Sequence, residues 1–242
     1  MAIEWRDEGV LLAVRRHGET HAVATLLTAE HGRHAGLVHG GQSAKKAALL
    51  QPGNVVEAAW RARLADSLGS LTLELVEQPA AALYAKPKHL AALLAACALL
   101  EVSLPERAPH PTLFERTLAL ARLLAGPDDP GRLYVLFELA LLTDLGFGLD
   151  LSTCAVTGAA DDLAFVSPRT GRAVSRAGAG VWADRLLLLP PFLIGDVTPD
   201  GAAVLDGLRL TGHFLRRHVL DPADRPMPEA RQRLAAELAR NP

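Results

Sequence analysis

The hydrophobic period of this chain changes once, near Pro79, from about two residues to about 3.6, and that change limits the fold more than any other feature. Before it, five short runs (10–15, 22–28, 35–39, 54–60 and 71–77) are separated by turn residues at Gly18, Gly32, Gly40-Gly41 and Pro52-Gly53. The last run is the clearest. Leu71, Leu73 and Leu75 alternate with Thr72, Glu74 and Val76, which predicts one leucine face on a half-buried strand. Five short strands are too few for two well-packed sheets, so closure into a small barrel is the simplest way to remove their edges. An OB-like or SH3-like barrel over residues 1–79 is therefore expected.

After Pro79 the pattern predicts helices over 88–102, 112–125 and 131–145, each rich in Leu and Ala and bounded by Pro or Gly. Thr112 and Glu115 form a Thr-x-x-Glu capping signature behind Pro111. Residues 151–192 carry Cys154, Gly158, Gly171, Gly178, Gly180 and Pro190-Pro191 and read as an irregular or short-stranded insert. Two further helices are expected at about 200–220 and 228–240. The fold class is α+β, a five-stranded barrel followed by a helical domain over 80–242 that contains the insert.

Half of the 242 residues are hydrophobic, enough for a sizeable core. With 21% charged residues and a formal charge of −2, neither a disordered polyelectrolyte nor a wholly basic coat protein fits. The charge is unevenly distributed: +2 over 1–63, −7 over 64–168 and +3 over 169–242. Only Cys97 and Cys154 occur, too few for a disulfide framework, which suits a reducing compartment. The first residues mix charges where a secretory signal would be basic and then apolar. The longest apolar run, 90–100, is shorter than the roughly 20 residues of a membrane span. A soluble cytoplasmic protein with no membrane partner is expected.

Five of nine histidines, His17, His21, His31, His34 and His39, crowd the barrel segment, and His31-x-x-His34 invites a metal reading. On strands and turns these positions scatter over both faces, with no Asp or Cys among them to close a tetrahedral site, so polar histidines are the expectation. Gly-x-Ser-x-Gly, His-Glu-x-x-His and the phosphate-binding Gly-x-x-x-x-Gly-Lys-Ser/Thr are all absent, so no nucleophile is marked and no cofactor is implied. Gly178-Ala-Gly180 resembles half of a dinucleotide fingerprint but lacks the strand and helix around it. Asp128-Asp129 and Asp161-Asp162 sit in expected turns, where Asp is favoured for backbone hydrogen bonding.

Cations carry the stronger signal. From residue 15 to 63, Arg15, Arg16, Arg33, Lys45, Lys46, Arg61 and Arg63 outnumber Glu19, Glu30 and Glu57, for a local charge of +4. If the first and fourth strands share a wall, Arg15 or Arg16 and Arg61 or Arg63 line one groove, with Lys45 and Lys46 on the loop between the third and fourth strands. Such a groove suits a phosphate backbone, whose binding releases counterions. Trp5 and Trp60 are the segment's only aromatic platforms, so backbone contact should dominate over base stacking. Arg169, Arg172 and Arg176 form a second basic run, and Arg216-Arg217-His218 a third.

In order and spacing the chain resembles RecO, the bacterial recombination-mediator and DNA-annealing family. The resemblance rests on Arg16-His-Gly-Glu19, Leu27-Thr28, His31-Gly-Arg33, Gly40-Gly41-Gln-Ser43 with Lys45-Lys46, Leu50-Gln-Pro-Gly53, Trp60-Arg-Ala-Arg63 and Leu68-Gly-Ser-Leu71. In the insert it continues through Cys154-Ala-Val-Thr-Gly158, Asp162 to Pro168, Gly171-Arg-Ala-Val-Ser175 and Leu189-Pro-Pro-Phe-Leu193. It implies an N-terminal OB-fold that binds single- and double-stranded DNA, a helical domain, and a small ribbon that holds zinc through four cysteines in some members. Only Cys154 stands here, so metal is not expected, and Leu163, Phe165 and Val166 are expected to pack against the helices instead. The resemblance further implies a non-enzymatic protein that binds RecR and the C-terminal tail of the single-stranded-DNA-binding protein, anneals complementary strands and helps load RecA at the nucleoid. Arg15, Arg16, Arg33, Lys45, Lys46, Arg61 and Arg63 are then the DNA-backbone candidates. Arg169, Arg172, Arg176, Arg216 and Arg217 either extend the DNA path or meet a partner. Two other classes stay open: a protein–protein adaptor whose barrel is only a scaffold, and a metal-dependent hydrolase built on the histidines.

Overall fold

The computed structural model describes residues 3–64 and 66–240, which form two compact units, Met1–Pro127 and Asp128–Pro242. In the first, β1 (Ile3–His17), β2 (His21–Thr28), β3 (Gly32–Val38), β4 (Val55–Ala62) and β5 (Ser70–Glu77) close a barrel in the order β1-β2-β3-β5-β4. One long strand makes closure possible. β1 pairs with β4 through Ile3–Val10 and with β2 from Gly9 to His17, so it belongs to both halves of the wall. The parallel contact of Leu37 with Ser70 seals the last seam. Inside lie Leu11, Ala24, Leu26, Val38, Val56, Ala58, Trp60, Leu71 and Leu73. The Trp60 indole N–H is satisfied by the Leu68 carbonyl at 3.0 Å.

The leucine face expected of β5 ends early. Leu71 and Leu73 are buried, but Leu75 is exposed, because the pairing steps from Val56 opposite Leu75 to Val55 opposite Glu77. The extra residue breaks the alternation that the sequence suggests.

Three helices complete the first unit: α1 (Pro79–Ala82), α2 (Pro87–Ser103) and α3 (Pro111–Ala125). α2 buries Ala92, Leu93, Ala95, Ala96, Cys97, Leu99 and Leu100, and it packs on β1 and α3. The expected Thr112 cap is not formed. His110 occupies the cap position without a side-chain capping bond to the helix, and Pro111 starts the helix with its ring-fixed φ, which moves Thr112 inside. Between α2 and α3, the chain lies along β3. The Arg107 amide donates to the Arg33 carbonyl at 2.8 Å, and the Arg33 Nε donates to the Leu104 carbonyl at 2.8 Å. Gly32 permits this approach, since it has φ +65° and a Cβ there would sit 1.9 Å from the Ala108 oxygen.

The second unit packs α4 (Pro130–Asp144), α6 (Gly201–Leu215) and α7 (Glu229–Arg240) around a buried ion pair. Glu138 is fully buried and receives Arg231 at 3.0 Å together with the Thr211 hydroxyl, while Arg231 also donates to the Leu208 carbonyl at 2.6 Å. Asp129 and Asp200 cap α4 and α6 by accepting from the Arg132 and Ala203 amides. A small sheet of β6 (Leu163–Val166), β7 (Ala173–Ser175) and β8 (Leu187–Leu188), in the order β7-β6-β8, leads through β7 into α5 (Arg176–Ala179). Leu163 and Phe165 do not turn to the helices as expected. They pack on a core of Cys154, Val174 and Ala179, which lets so short a ribbon bury its own apolar side chains.

Cys154 anchors that core without metal geometry. Its sulfur accepts from the amides of Val156 and Thr157 at 3.4 Å, the Ser175 amide at 3.2 Å and the Ser175 hydroxyl at 3.3 Å. Burial raises the thiol pKa, but the bonds from Ser175 and Thr157 outweigh it and bring it to about 6. Among the described residues no group of three or more His, Cys, Asp or Glu can hold a metal ion, so the residues present do not fit the four-cysteine zinc ribbon that the resemblance implies for some members. Among them, too, no helix is long and apolar enough to cross a membrane.

Candidate nucleic-acid interface

At one end of the barrel the β1–β2 turn faces the loop that joins β3 to β4. Gln42 ties them together, its amide nitrogen donating to the carbonyls of Gly18 and His21 at 2.9 Å each. Between them opens a groove of about 390 Å³ lined by Val14, Arg16, Ala22, Ser43, Gln51 and Pro52, among others. Lys45 and Lys46 follow Ser43 on a single 3-10 turn, Ala44–Lys46. Lys46 Nζ is steadied by the His39 carbonyl at 2.7 Å, and Lys45 is exposed. His21 and His39 meet edge to face at 5.0 Å beside them. Across 13–22 and 39–54 the only carboxylate is Glu19. Arg15 adds a further cation: it bonds Glu101 at 2.7 Å, yet its side chain stays 74% exposed.

The other candidates lie elsewhere. Arg33 is committed to the fold, with its guanidinium only 12% exposed and shared between the Leu104 carbonyl and Glu106 at 3.4 Å. Arg61 stands opposite Glu4 at the far end of β1, with their charged groups 3.8 Å apart. The single groove expected from Arg15 or Arg16 with Arg61 or Arg63 is therefore not formed. Arg16 and Glu4 are 12 residues apart on one strand. At about 3.3 Å per residue that is on the order of 40 Å of contour. Arg61 instead lines a second, wider groove of about 580 Å³ on the outer face of β1, β4 and β5, with Arg6, Ala59, Ser70 and Thr72. Arg63 follows β4 and is exposed.

One register further along that face, Glu8, Glu57 and Glu74 stand side by side on three adjacent strands. This carboxylate row repels a polyanion. The sequence reading missed both Arg6 and the row, although the alternation of Glu4, Arg6 and Glu8 carries the signal.

In the second unit the basic runs are largely paired. Arg172 meets Asp150 at 3.3 Å, Arg176 meets Asp162 at 3.1 Å, and Arg217 donates to the Pro168 carbonyl at 3.1 Å. Arg169 and Arg216 are exposed, and Arg216-Arg217-His218 sits on a π-helical turn, Arg216–Leu220, rather than on a regular helix.

The five histidines do divide between sites, as expected: His21 and His39 meet each other, whereas His31 and His34 gather on tryptophan. His31 stacks on Trp5 at 4.2 Å and bonds Asp7 at 3.1 Å, and His34 lies edge-on to both Trp5 and Trp60. Burial, then Arg107 and His31, lower the His34 pKa to about 4, with Glu106 opposing.

A five-stranded barrel closed in this order, with loops gathered at a cationic end, defines an OB-fold protein. Comparison with known proteins narrows the class. A family model described as "Recombination protein O N terminal" matches residues 1–79, and one described as "Recombination protein O C terminal" matches 85–225. A "DNA repair protein RecO" of a Jannaschia species is 54% identical over 98% of this chain and 97% of its own length. Another of that name, from Rhodospirillum centenum, is 52% identical over 96% and 93%. The chain belongs to the RecO family.

Proposed function

We propose that this protein is a non-enzymatic DNA repair and recombination mediator that grips the sugar-phosphate backbone of single- and double-stranded DNA at the loop end of its barrel. The observation that carries this reading is the gathering of Arg16, Lys45 and Lys46 around one groove whose two loops contain a single carboxylate. Lysine and arginine there neutralise phosphates without reading bases. Arg15, which alternates to the other face of β1 and bonds Glu101, is an exposed neighbouring cation, whereas Arg61 and Arg63 act as a secondary contact and Arg33 only supports the fold.

Annealing follows from the same chemistry. Screening two backbones lowers their mutual repulsion, and a grip on phosphate leaves base edges free to pair. In this reading the protein works in the cytoplasm at the nucleoid, with RecR and the acidic C-terminal tail of the single-stranded-DNA-binding protein as partners, and helps load RecA. Arg169 and Arg216, exposed in the second unit, suit an acidic tail. An adaptor role is favoured by a different observation, the Glu8, Glu57 and Glu74 row, which presents a protein-binding rather than a DNA-binding face.

Labelled single-stranded and duplex oligonucleotides, titrated over a series of salt concentrations, test the reading. Replacing Arg16, Lys45 and Lys46 by Ala together should weaken both and reduce the slope of log affinity against log salt by about 2 to 3. An unchanged slope, or no binding by the wild type at low salt, would leave the adaptor.

A further inference from the structure

The second unit carries a tryptophan that the fold does not use. Trp182 and Val181 head a 3-10 turn, Gly180–Arg185, and their side chains are 57% and 91% exposed. Exposure of two large apolar residues in succession costs solvation free energy and marks a contact surface. The turn is held from below. Ser175 caps α5 by accepting from the Gly178 amide at 3.1 Å, Gly180 (φ +48°) redirects the chain, and Ala183 and Leu186 pack on the Cys154 core. Trp182 is thus presented outward on a fixed support.

Its surroundings select the occupant. The Arg185 guanidinium lies over the indole, 4.9 Å from the ring centroid. Arg176, on the preceding turn, is 72% exposed and shares Asp162 at 3.1 Å, a contact that a phosphate can replace. A flat ring with a cation on it, and an exposed Arg176 on the short helix that leads into the turn, match what an unpaired nucleotide requires, a π-face for the base and positive charge for its phosphate, with Asp184 the one carboxylate on the turn itself. Trp5 and Trp60 do not serve in its place: Trp60 is buried, and Trp5 is stacked by Trp60 at 5.8 Å and by His31 at 4.2 Å.

We propose that Trp182, with Arg185, is a base-stacking platform for single-stranded DNA. This rests on the DNA-binding reading above and adds to it a site specific for unpaired strands. A duplex keeps its bases stacked on one another and has no face to offer, so the platform separates single from double strands where the barrel groove does not.

The test uses the full chain as wild type, Trp182→Ala and Trp182→Phe, with oligothymidylate and a mixed-sequence duplex as probes. Trp182→Ala should weaken oligothymidylate binding at least about fivefold and leave duplex binding and the salt slope unchanged, while Trp182→Phe retains most of the affinity. Oligothymidylate should also quench the tryptophan emission of the wild type, and this quench should vanish in Trp182→Phe, a readout that does not depend on the Ala variant folding. Single-strand affinity within twofold of wild type in Trp182→Ala, equal losses for both probes, or a quench that survives in Trp182→Phe overturns the platform while leaving the barrel groove standing; a Val181-Trp182 protein contact would give the first of these results. Failure of the wild type to bind either probe overturns both.

Discussion

Lowering the pH should destabilise the barrel through one residue, His34. It is 5% exposed, neither ring nitrogen has a hydrogen-bond partner among the described residues, and the rings of Trp60 and Trp5 enclose it at 4.7 and 5.0 Å. Burial is the main cause of its depressed pKa. Arg107 and His31 add repulsion, and Glu106 compensates only in part, leaving a value of about 4. In the unfolded chain the ordinary value of about 6.5 applies. Between these two values the unfolded state holds more protons than the folded one, so stability rises with pH across that window and falls as acid is added. Below both values the loss is about 3 kcal/mol, and at about pH 5 it is already about 2 kcal/mol relative to neutral pH.

His34→Phe keeps an aromatic ring against both tryptophans but cannot be protonated. Urea unfolding followed by tryptophan emission, at about pH 7.5 and about pH 5, isolates the contribution: the wild type should lose about 2 kcal/mol more than the variant. Other titrating groups cancel in that difference. If wild type and variant lose the same stability on acidification, His34 is not kept neutral by burial and the reasoning fails.

The buried pair of the second unit gives a larger effect. Arg231→Met leaves Glu138 enclosed without its counter-ion, which should cost about 3 to 5 kcal/mol, whereas the double variant Arg231→Met with Glu138→Leu should recover much of it; thermal unfolding of the two variants checks this. On the outer face of the first unit, Glu57 is flanked in register by Glu8 and Glu74. Glu57→Lys turns two repulsive cross-strand pairs into attractive ones and should raise stability by about 0.5 to 1 kcal/mol at low salt, an increment that fades at high salt and is measurable as a shift in urea midpoint.

Local periodicity made the strands and helices legible, and pairing over distance hid the rest. Runs 22–28 and 71–77 each lie within one observed strand, since alternation and turn residues are encoded over a few positions. The first run is expected only from residue 10, because the mixed charges before it show no apolar alternation, although β1 starts at Ile3 and residues 3–10 pair with β4 some 50 residues later. Arg33 looked like a free cation because nothing nearby in sequence shows that residues 104–108 fold over it. The same holds for Arg172 and Arg176, whose carboxylate partners lie 22 and 14 residues away. A charge excess can be counted from sequence, but which charges are already spent on the fold depends on closure.

That distinction reshapes the site. Seven cations in one segment suggest a single continuous track, yet Arg16 stands at one end of the long β1 and Arg61, on β4, stands opposite Glu4 at the other, and the Glu8, Glu57 and Glu74 row occupies the face beside Arg61. In the proposed function, a backbone gripped at Arg16, Lys45 and Lys46 does not run on continuously to Arg61 along the outer wall of β1, β4 and β5, because that path crosses three carboxylates, and Arg61 and Arg63 are a separate contact. Trp5 and Trp60 pair beside Glu4 and Arg61, toward the other end of β1, so the groove at Arg16 offers phosphate contacts without a base platform. A grip that is short, cationic and blind to bases holds a strand by its backbone only and leaves its pairing edges outward. In the proposed function, that is the geometry two complementary strands need in order to meet.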